Sequence, residues 1–281
     1  MVNHVPLTAE TDAGLGGRWT SLTAAGREWL WHRPDPARHT VRPGDSFVDA
    51  GGLEECVPTV RGLPDHGDAW SRPWRRAGDS DVVETPDFVL HRSIDHRAGA
   101  VHARYRLSAD PGYRFLWAAH ALLDLGVGAR LHAPAGTPTR IFPEAAHLID
   151  RPWPDHAPHL TGPWPAPYGL ALDRFGPADG TAAGAVLTRC SDVRVTDGPD
   201  TLRLTLHAGA DVPVSIGLWR NLGGYPAAAP YRSIGVEPML GAVFDLAEAG
   251  EGEAAVVPRG GELCWELHVT ATRATPHEST P

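Results

Sequence analysis

One carboxylate late in the chain has the setting expected of a general base. Glu237 lies in the motif Gly-Val-Glu-Pro-Met at residues 235–239, between a β-rich run at residues 212–219 and the last strand-like segment. The following proline disfavours the helical region for Glu237, so its backbone is extended and the direction of its side chain is fixed. A rigidly held carboxylate in a β-sheet protein is a candidate base whose acid partner must come from elsewhere in the sequence.

Two histidines have surroundings that suggest a place in such a site. His120 is the one ionisable residue at the centre of an apolar run, where it is either a satisfied core residue or, facing a cleft, a proton donor or acceptor near neutral pH. Pro64 and Gly67 bracket Asp65 and His66, which is typical of a tight turn that holds an imidazole in place. The alternative for His66 is a simple bond to a backbone carbonyl.

Tryptophans beside basic residues follow that turn. Trp70 and Trp74 have Arg72, Arg75 and Arg76 around them. Aromatic rings beside polar donors favour a sugar-binding surface, because the C–H faces of a sugar stack on the ring while its hydroxyls meet the donors. The other interpretation is that both tryptophans cover an edge of the core.

Arginine and histidine residues elsewhere give weaker signals. Arg18 follows two glycines that let the backbone approach a ligand or another strand, although it equally fits a surface arginine near a turn. His91, His96 and His102 lie on separate strand-like stretches without metal-ligand spacing, so we interpret them as surface residues and expect no metal site.

The composition is that of an ordinary globular protein. Its 281 residues are 42% hydrophobic and 21% charged, all the basic residues are arginine, and the net charge is −9, which argues against nucleic-acid binding. Three widely spaced cysteines, Cys56, Cys190 and Cys264, indicate reduced thiols. Without a signal-peptide pattern or a membrane-spanning run, we expect a cytoplasmic protein with no membrane partner. No cofactor motif is present, and the oligomeric state is left open.

Short alternating segments dominate the chain. Residues 14–31 predict a hairpin that turns at residues 25–26, and residues 101–107 alternate with a period of two, which indicates a strand with one wet face. Few segments favour helix; residues 244–249 are the short candidate. The pattern predicts an all-β fold, best described as a large β-sandwich.

Three predictions concern the chain's organisation. Residues 134–177 are rich in proline, tryptophan and histidine, and we expect a long irregular loop or lid there. Residues 1–272 are expected to form one domain. Residues 273–281 are expected to be a disordered tail.

Five blocks, taken in order, resemble the aldose 1-epimerase (galactose mutarotase) family, and in particular its bacterial mutarotase-like branch. They are residues 16–22 with 26–31, residues 51–59, residues 64–67 with Trp70, residues 115–120, and residues 235–238. The resemblance implies a β-supersandwich with an open carbohydrate cleft and a small sugar as the partner. It also implies ring opening by a base that removes the anomeric proton and an acid that protonates the ring oxygen from the other side.

The same resemblance implies roles for individual residues. Glu237 matches the family's base and His120 its acid. His66, in the turn with Asp65, matches a sugar-binding histidine. Arg18 would donate to a sugar hydroxyl, and Asn221 lies near the place of a substrate-binding aspartate.

Two other functions fit the same cleft. One is a carbohydrate-binding protein without catalysis, with Trp70, Trp74 and Trp219 as stacking platforms. The other is a tailoring enzyme of the same fold that acts on a glycoside or a cyclic hemiacetal-like substrate.

Overall fold

A computed structural model describes residues 2–275, whose regular secondary structure is mostly β-strand. Short 3-10 helices occupy Ala13–Leu15, Pro36–His39, Pro143–Leu148, Pro167–Gly169 and Leu246–Glu248. The strands are β1 (Val2–Val5), β2 (Leu7–Asp12), β3 (Arg18–Ala24), β4 (Arg27–Glu28), β5 (Leu53–Cys56), β6 (Arg75–Ala77), β7 (Ser80–Glu84), β8 (Phe88–Arg97), β9 (Ala100–Ala109), β10 (Arg114–Phe115), β11 (Trp117–Leu123), β12 (Ala129–His132), β13 (Pro138–Ile141), β14 (Leu160–Pro163), β15 (Arg174–Phe175), β16 (Thr181–Thr188), β17 (Asp192–Asp197), β18 (Asp200–Ala208), β19 (Val214–Tyr225), β20 (Tyr231–Leu240), β21 (Ala255–Val256) and β22 (Glu262–Ala274).

Two ten-stranded antiparallel sheets form the fold, as the all-β prediction requires. Sheet I has the order β15-β12-β17-β18-β22-β9-β8-β7-β6, with β1 beside β22. Sheet II has the order β14-β13-β16-β19-β20-β11-β5-β3-β2, with β4 beside β3. A large apolar cluster draws on strands of both sheets and forms the core of a β-sandwich. The predicted hairpin corresponds to β3 and β4, and the predicted alternating strand to β9.

Alternation along the strands of sheet II gives each strand an inner face toward sheet I and an outer face away from it. On β11, Trp117, Ala119 and Ala121 belong to the shared core, whereas His120 points to the outer face. On β20, Val236 belongs to the same core, so Glu237 also points outward. The period of two therefore separates the apolar residues from the two ionisable ones.

Charged residues also lie between the two sheets. Arg92 of β8 donates through Nη1 to Glu55 of β5 at 2.9 Å, and both side chains are fully buried. Tyr105 and Trp117 donate to the two oxygens of the same carboxylate at 3.0 and 2.9 Å. Asp81 gives Arg92 a second carboxylate partner at 3.3 Å. The network satisfies a buried charge pair that would otherwise be very costly.

The proline-rich segment at residues 134–177 is not the irregular loop that we expected. It contains β13 and β14, which pair with each other, and β13 also pairs with β16, so they extend sheet II to its edge. Proline is compatible with edge strands because the missing N–H can face away from the ladder. One 3-10 helix lies between β13 and β14, and a second follows β14.

The disordered tail was predicted to begin at residue 273, but the last strand extends to Ala274. Arg273 and Ala274 belong to β22, and Arg273 lies 2.6 Å from Asp200 of the neighbouring β18. Residues 276–281 lie outside the described part of the chain. The predicted helix at residues 244–249 is a single 3-10 turn, Leu246–Glu248. All three cysteines are free thiols.

Replacing Arg92 by methionine should lower the free energy of unfolding by about 3–5 kcal/mol, because the Glu55 carboxylate would remain buried without its cation. Urea unfolding measures this. The matched control is Arg203→Met, which removes an arginine that is half exposed and paired with Asp192, and should cost no more than about 1 kcal/mol. If both variants lose the same free energy of unfolding, the buried network does not stabilise the fold more than an exposed ion pair does.

Candidate active site

Strand pairing makes His120 and Glu237 direct neighbours. β11 and β20 are antiparallel, with Ala118 opposite Met239 and Leu122 opposite Gly235, a register that sets His120 opposite Glu237 on the outer face. Side chains of opposed residues on one face lie close together. Nδ1 of His120 is 3.0 Å from Oε1 of Glu237, and the two side chains are 10% and 2% exposed.

The contact is an ion pair in which both side chains keep an atom without a hydrogen bond to the described residues. Oε2 of Glu237 and Nδ1 of His120 are buried without an aligned hydrogen-bond partner among residues 2–275. Burial lowers the pKa of His120, but the charge of Glu237, with smaller contributions from Asp49 and Glu54, raises it to about 9. His120 is therefore protonated at neutral pH, as a proton donor must be.

Glycines around Glu237 leave room for its carboxylate because they have no side chain. A Cβ added at Gly235 would lie 2.5 Å from Oε1 of Glu237, and one at Gly217, which is paired with Glu237 across β19 and β20, would lie 3.3 Å from its Cβ. A side chain at Gly235 would push the carboxylate away from its position. Both glycines therefore leave room for the carboxylate of Glu237.

His66 comes to the same place from a different part of the chain. Its backbone has φ 56°, in the turn that the Gly67 N–H closes onto the Pro64 carbonyl. Nδ1 of His66 lies 2.8 Å from Asp65, and its ring stacks on Phe47 and meets the ring of His120 edge-on at 5.1 Å. Burial lowers the pKa of His66, so it is neutral, and the hydrogen bond from His66 lowers the pKa of Asp65.

A cavity of about 700 Å³ opens over these residues. The predicted site residues Glu237, His120, His66, Asp65 and Trp219 all line it. The rest of the lining is Arg33, Asp35, Phe47, Val48, Asp49, Val60, Arg61, Gly62, Glu144, Tyr225, Pro226, Tyr231 and Phe244. The structure thus brings residues 33–66 together with residues 120, 144 and 219–244, which are far apart in the sequence.

Arg18, which was expected to bind substrate, does not line this cavity. Its Nη2 donates to the Ala50 carbonyl at 2.7 Å, and its Nε lies 3.6 Å from Glu54. Glu54 stands opposite His120 on β5 and is held by Arg38 in a bidentate contact at 2.9 and 3.0 Å. Arg18 is therefore part of the buried charge cluster behind His120.

Trp70 and Asn221 do not line the cavity either. Trp70 is fully buried, and its Nε1 donates to the Asp65 carbonyl at 2.9 Å, so it supports the His66 turn. Asn221 is fully buried as well, and its Oδ1 accepts the N–H groups of Gly223, Gly224 and Tyr225. Its function is to hold the bulged end of the β19–β20 hairpin. Trp74, also proposed as a platform, is 4% exposed.

Several lining residues were missed by the sequence reasoning. Tyr231 donates to Asp49, and Arg33 lies over the Tyr231 ring at 4.4 Å. Arg61 forms an ion pair with Glu144 at 2.7 Å. Its place in the sequence, directly before the turn at residues 62–67, is the one local feature that could have marked it as a site residue. Nothing local marks the others, because long-range strand pairing brings them to the cavity.

Within residues 2–275, no group of three or more histidine, cysteine or acidic side chains is arranged to hold a metal ion. In the same part of the chain, no helix has the length and apolar character needed to cross a membrane.

Replacing Glu237 by glutamine should lower the pKa of His120 by two units or more, because burial would no longer be opposed by the neighbouring charge. A ¹⁵N NMR titration of the histidine side chains measures it. Glu144→Gln is the control, since it removes a carboxylate of the same cavity that is paired with Arg61. An unchanged pKa in the Glu237 variant would contradict the ion pair.

Comparison with known proteins relates this geometry to one group of folds. No family model matches the chain, and no curated protein matches its sequence. Among solved structures, the Slr1438 protein from Synechocystis sp. PCC 6803 is 16% identical with a TM-score of 0.65, over 97% of this chain and 96% of that one. A candidate aldose 1-epimerase from Escherichia coli K12 is 12% identical with a TM-score of 0.65, over 96% and 99%.

A galactose mutarotase related enzyme from Lactobacillus acidophilus is 12% identical with a TM-score of 0.59, over the full length of both chains. At these identities the likeness concerns the backbone and not the side chains of the site. The chain has the fold of the aldose 1-epimerase and galactose mutarotase-like proteins.

Proposed function

We propose that this protein interconverts the anomers of a sugar, with Glu237 as the general base and His120 as the general acid. The observation that carries the proposal is the pair itself, which lies on the floor of a cavity with one oxygen of Glu237 unpartnered. A protonated imidazole beside a carboxylate supplies an acid and a base at the same time.

Ring opening needs two proton transfers at neighbouring oxygens. The Glu237 carboxylate takes the proton from the anomeric hydroxyl while Nε2 of His120 gives one to the ring oxygen, and the bond between C1 and that oxygen breaks to give the open-chain aldehyde. Both oxygens are attached to C1, so adjacent acid and base groups reach them together. The family resemblance implied that the base and the acid stand on opposite sides of the sugar. Adjacent groups can perform the same two proton transfers.

Reversal of the same steps completes the reaction. After rotation about the C1–C2 bond, the neutral His120 takes back the proton from the hydroxyl that attacks C1, and protonated Glu237 returns its proton to the new anomeric hydroxyl. No net proton is gained or lost, so the pair is ready for another cycle. His66, kept neutral by burial and held by Asp65, is suited to bind a sugar hydroxyl beside the reacting carbon.

Removing either group should abolish most of the activity. Glu237→Gln and His120→Asn should each lower kcat for anomer exchange by about 10²–10⁴-fold, as measured by NMR exchange spectroscopy over a panel of free sugars. Glu262→Gln is the matched control, because that glutamate is half exposed on sheet I. Calorimetric sugar binding by the unmodified protein without any turnover would favour the binding-only function instead.

The rate should depend on pH through His120. Its protonated form is the acid, so kcat should be insensitive to pH around neutrality and fall as pH rises through about 9, tenfold per unit beyond. Because the pKa of His120 is raised in the folded protein, its protonation also stabilises the fold. This contribution to the free energy of unfolding is complete below pH 6.5 and is lost as pH rises through about 9. A rate that instead rises above pH 9 would contradict His120 as the donor.

A further inference from the structure

The cavity is longer than one sugar ring requires. Trp219 is paired with Gly235, two residues from Glu237 along β20, and Tyr231 is six residues from it. At the rise of an extended strand, these positions lie about 7 and about 20 Å from the base. A six-membered sugar ring is roughly 7 Å long, which equals the rise of two strand residues. A sugar that reacts at Glu237 therefore leaves the far end of the cavity empty.

That far end, at the tip of the β19–β20 hairpin, has aromatic walls. Tyr225 is paired with Tyr231 and is 57% exposed, and its ring meets the Trp219 ring edge-on at 5.7 Å. Tyr231 is held in place by stacking on Trp31 at 5.3 Å and by Arg33 above its ring. The exposed Tyr225 ring has a face that can stack on the C–H face of a sugar, and Tyr231 forms a rigid wall beside it.

Polar groups lie among these rings. Arg33 has no carboxylate partner among residues 2–275 and lines the cavity beside Asp35 and Asp49. A guanidinium donates hydrogen bonds and a carboxylate accepts them, so together they serve the hydroxyls of a ring whose faces stack on tyrosine. The combination of aromatic faces with convergent polar groups characterises a small-molecule subsite.

The charge of the cavity favours an uncharged ligand. Five carboxylates line it against two guanidinium groups and the protonated His120, which leaves two net negative charges. A phosphorylated sugar would be repelled by this lining, whereas a neutral sugar would not.

We infer that the hairpin tip, formed by Trp219, Tyr225, Tyr231 and Arg33, is a second sugar subsite, and that the substrate is the reducing end of a neutral di- or oligosaccharide. This inference rests on the proposed function. Since the anomeric carbon of the reacting sugar must stay free, the second sugar is joined through one of the other hydroxyls. Disaccharides linked through both anomeric carbons can bind but cannot react.

The test compares substrates and variants in one NMR exchange assay. The unmodified protein should show a higher kcat/KM for maltose or cellobiose than for glucose, and a lower one for glucose 6-phosphate. Tyr225→Ala should lower the disaccharide value roughly tenfold more than the glucose value. Tyr225→Phe keeps the ring and should retain the preference for the disaccharide. Because Tyr225 is an exposed residue, neither variant should unfold the protein.

The outcomes separate the subsite from the catalysis. Equal kcat/KM for glucose and both disaccharides, or an equal loss on both in Tyr225→Ala, would overturn the subsite and leave the ring opening intact. If no sugar exchanges faster with the protein, the proposed function fails. Calorimetry with maltose and cellobiose then decides the subsite: binding that Tyr225→Ala weakens supports it, and the absence of binding overturns it.

Discussion

The ion pair of His120 and Glu237 is the constraint on which the outer face of sheet II depends. Either charge alone would be costly at this depth, and each is tolerated because the other lies 3.0 Å away. The pair requires the register of β11 with β20, because a shift by one residue would turn one of the two side chains into the core. It also requires glycine at position 235, where a side chain would collide with the carboxylate.

Two neighbouring glutamates show how the sandwich divides its charges. Glu54 and Glu55 are consecutive on β5 and point to opposite faces, so one meets Arg38 beside the candidate site and the other meets Arg92 between the sheets. The inner network connects the two sheets. The outer one is continuous with His120, and burial raises the pKa of Glu54 against the influence of Arg38. The same two-residue period thus places the network between the sheets on one side and the candidate site on the other.

The all-β fold and the place of Glu237 were predictable because both depend on local patterns. Alternation identifies strands such as β9, and the proline after Glu237 fixes its backbone. The orientation of His120 was not predictable in this way, since every residue of β11 is buried and the run shows no alternation. The resemblance, not the periodicity, supplied its role.

The differences between the sequence-based expectations and the structure have physical causes too. Trp70 and Asn221 have side chains that suit a ligand, but hydrogen bonds to their own backbone surroundings occupy them, and sequence does not show which partner a polar group finds. Tyr231 and Asp49 are 182 residues apart and meet only through the sheet, so no local pattern connects them. The proline-rich segment was misjudged because edge strands tolerate proline.

A double-variant cycle tests the central claim most directly. Anomer exchange of a ¹³C-labelled sugar would be followed by NMR for the unmodified protein, Glu237→Gln, His120→Asn and the double variant. If the two groups act as one unit, the double variant should be no slower than the slower single variant. Losses that simply multiply, or a double variant that exchanges the sugar as fast as the unmodified protein, would contradict the account.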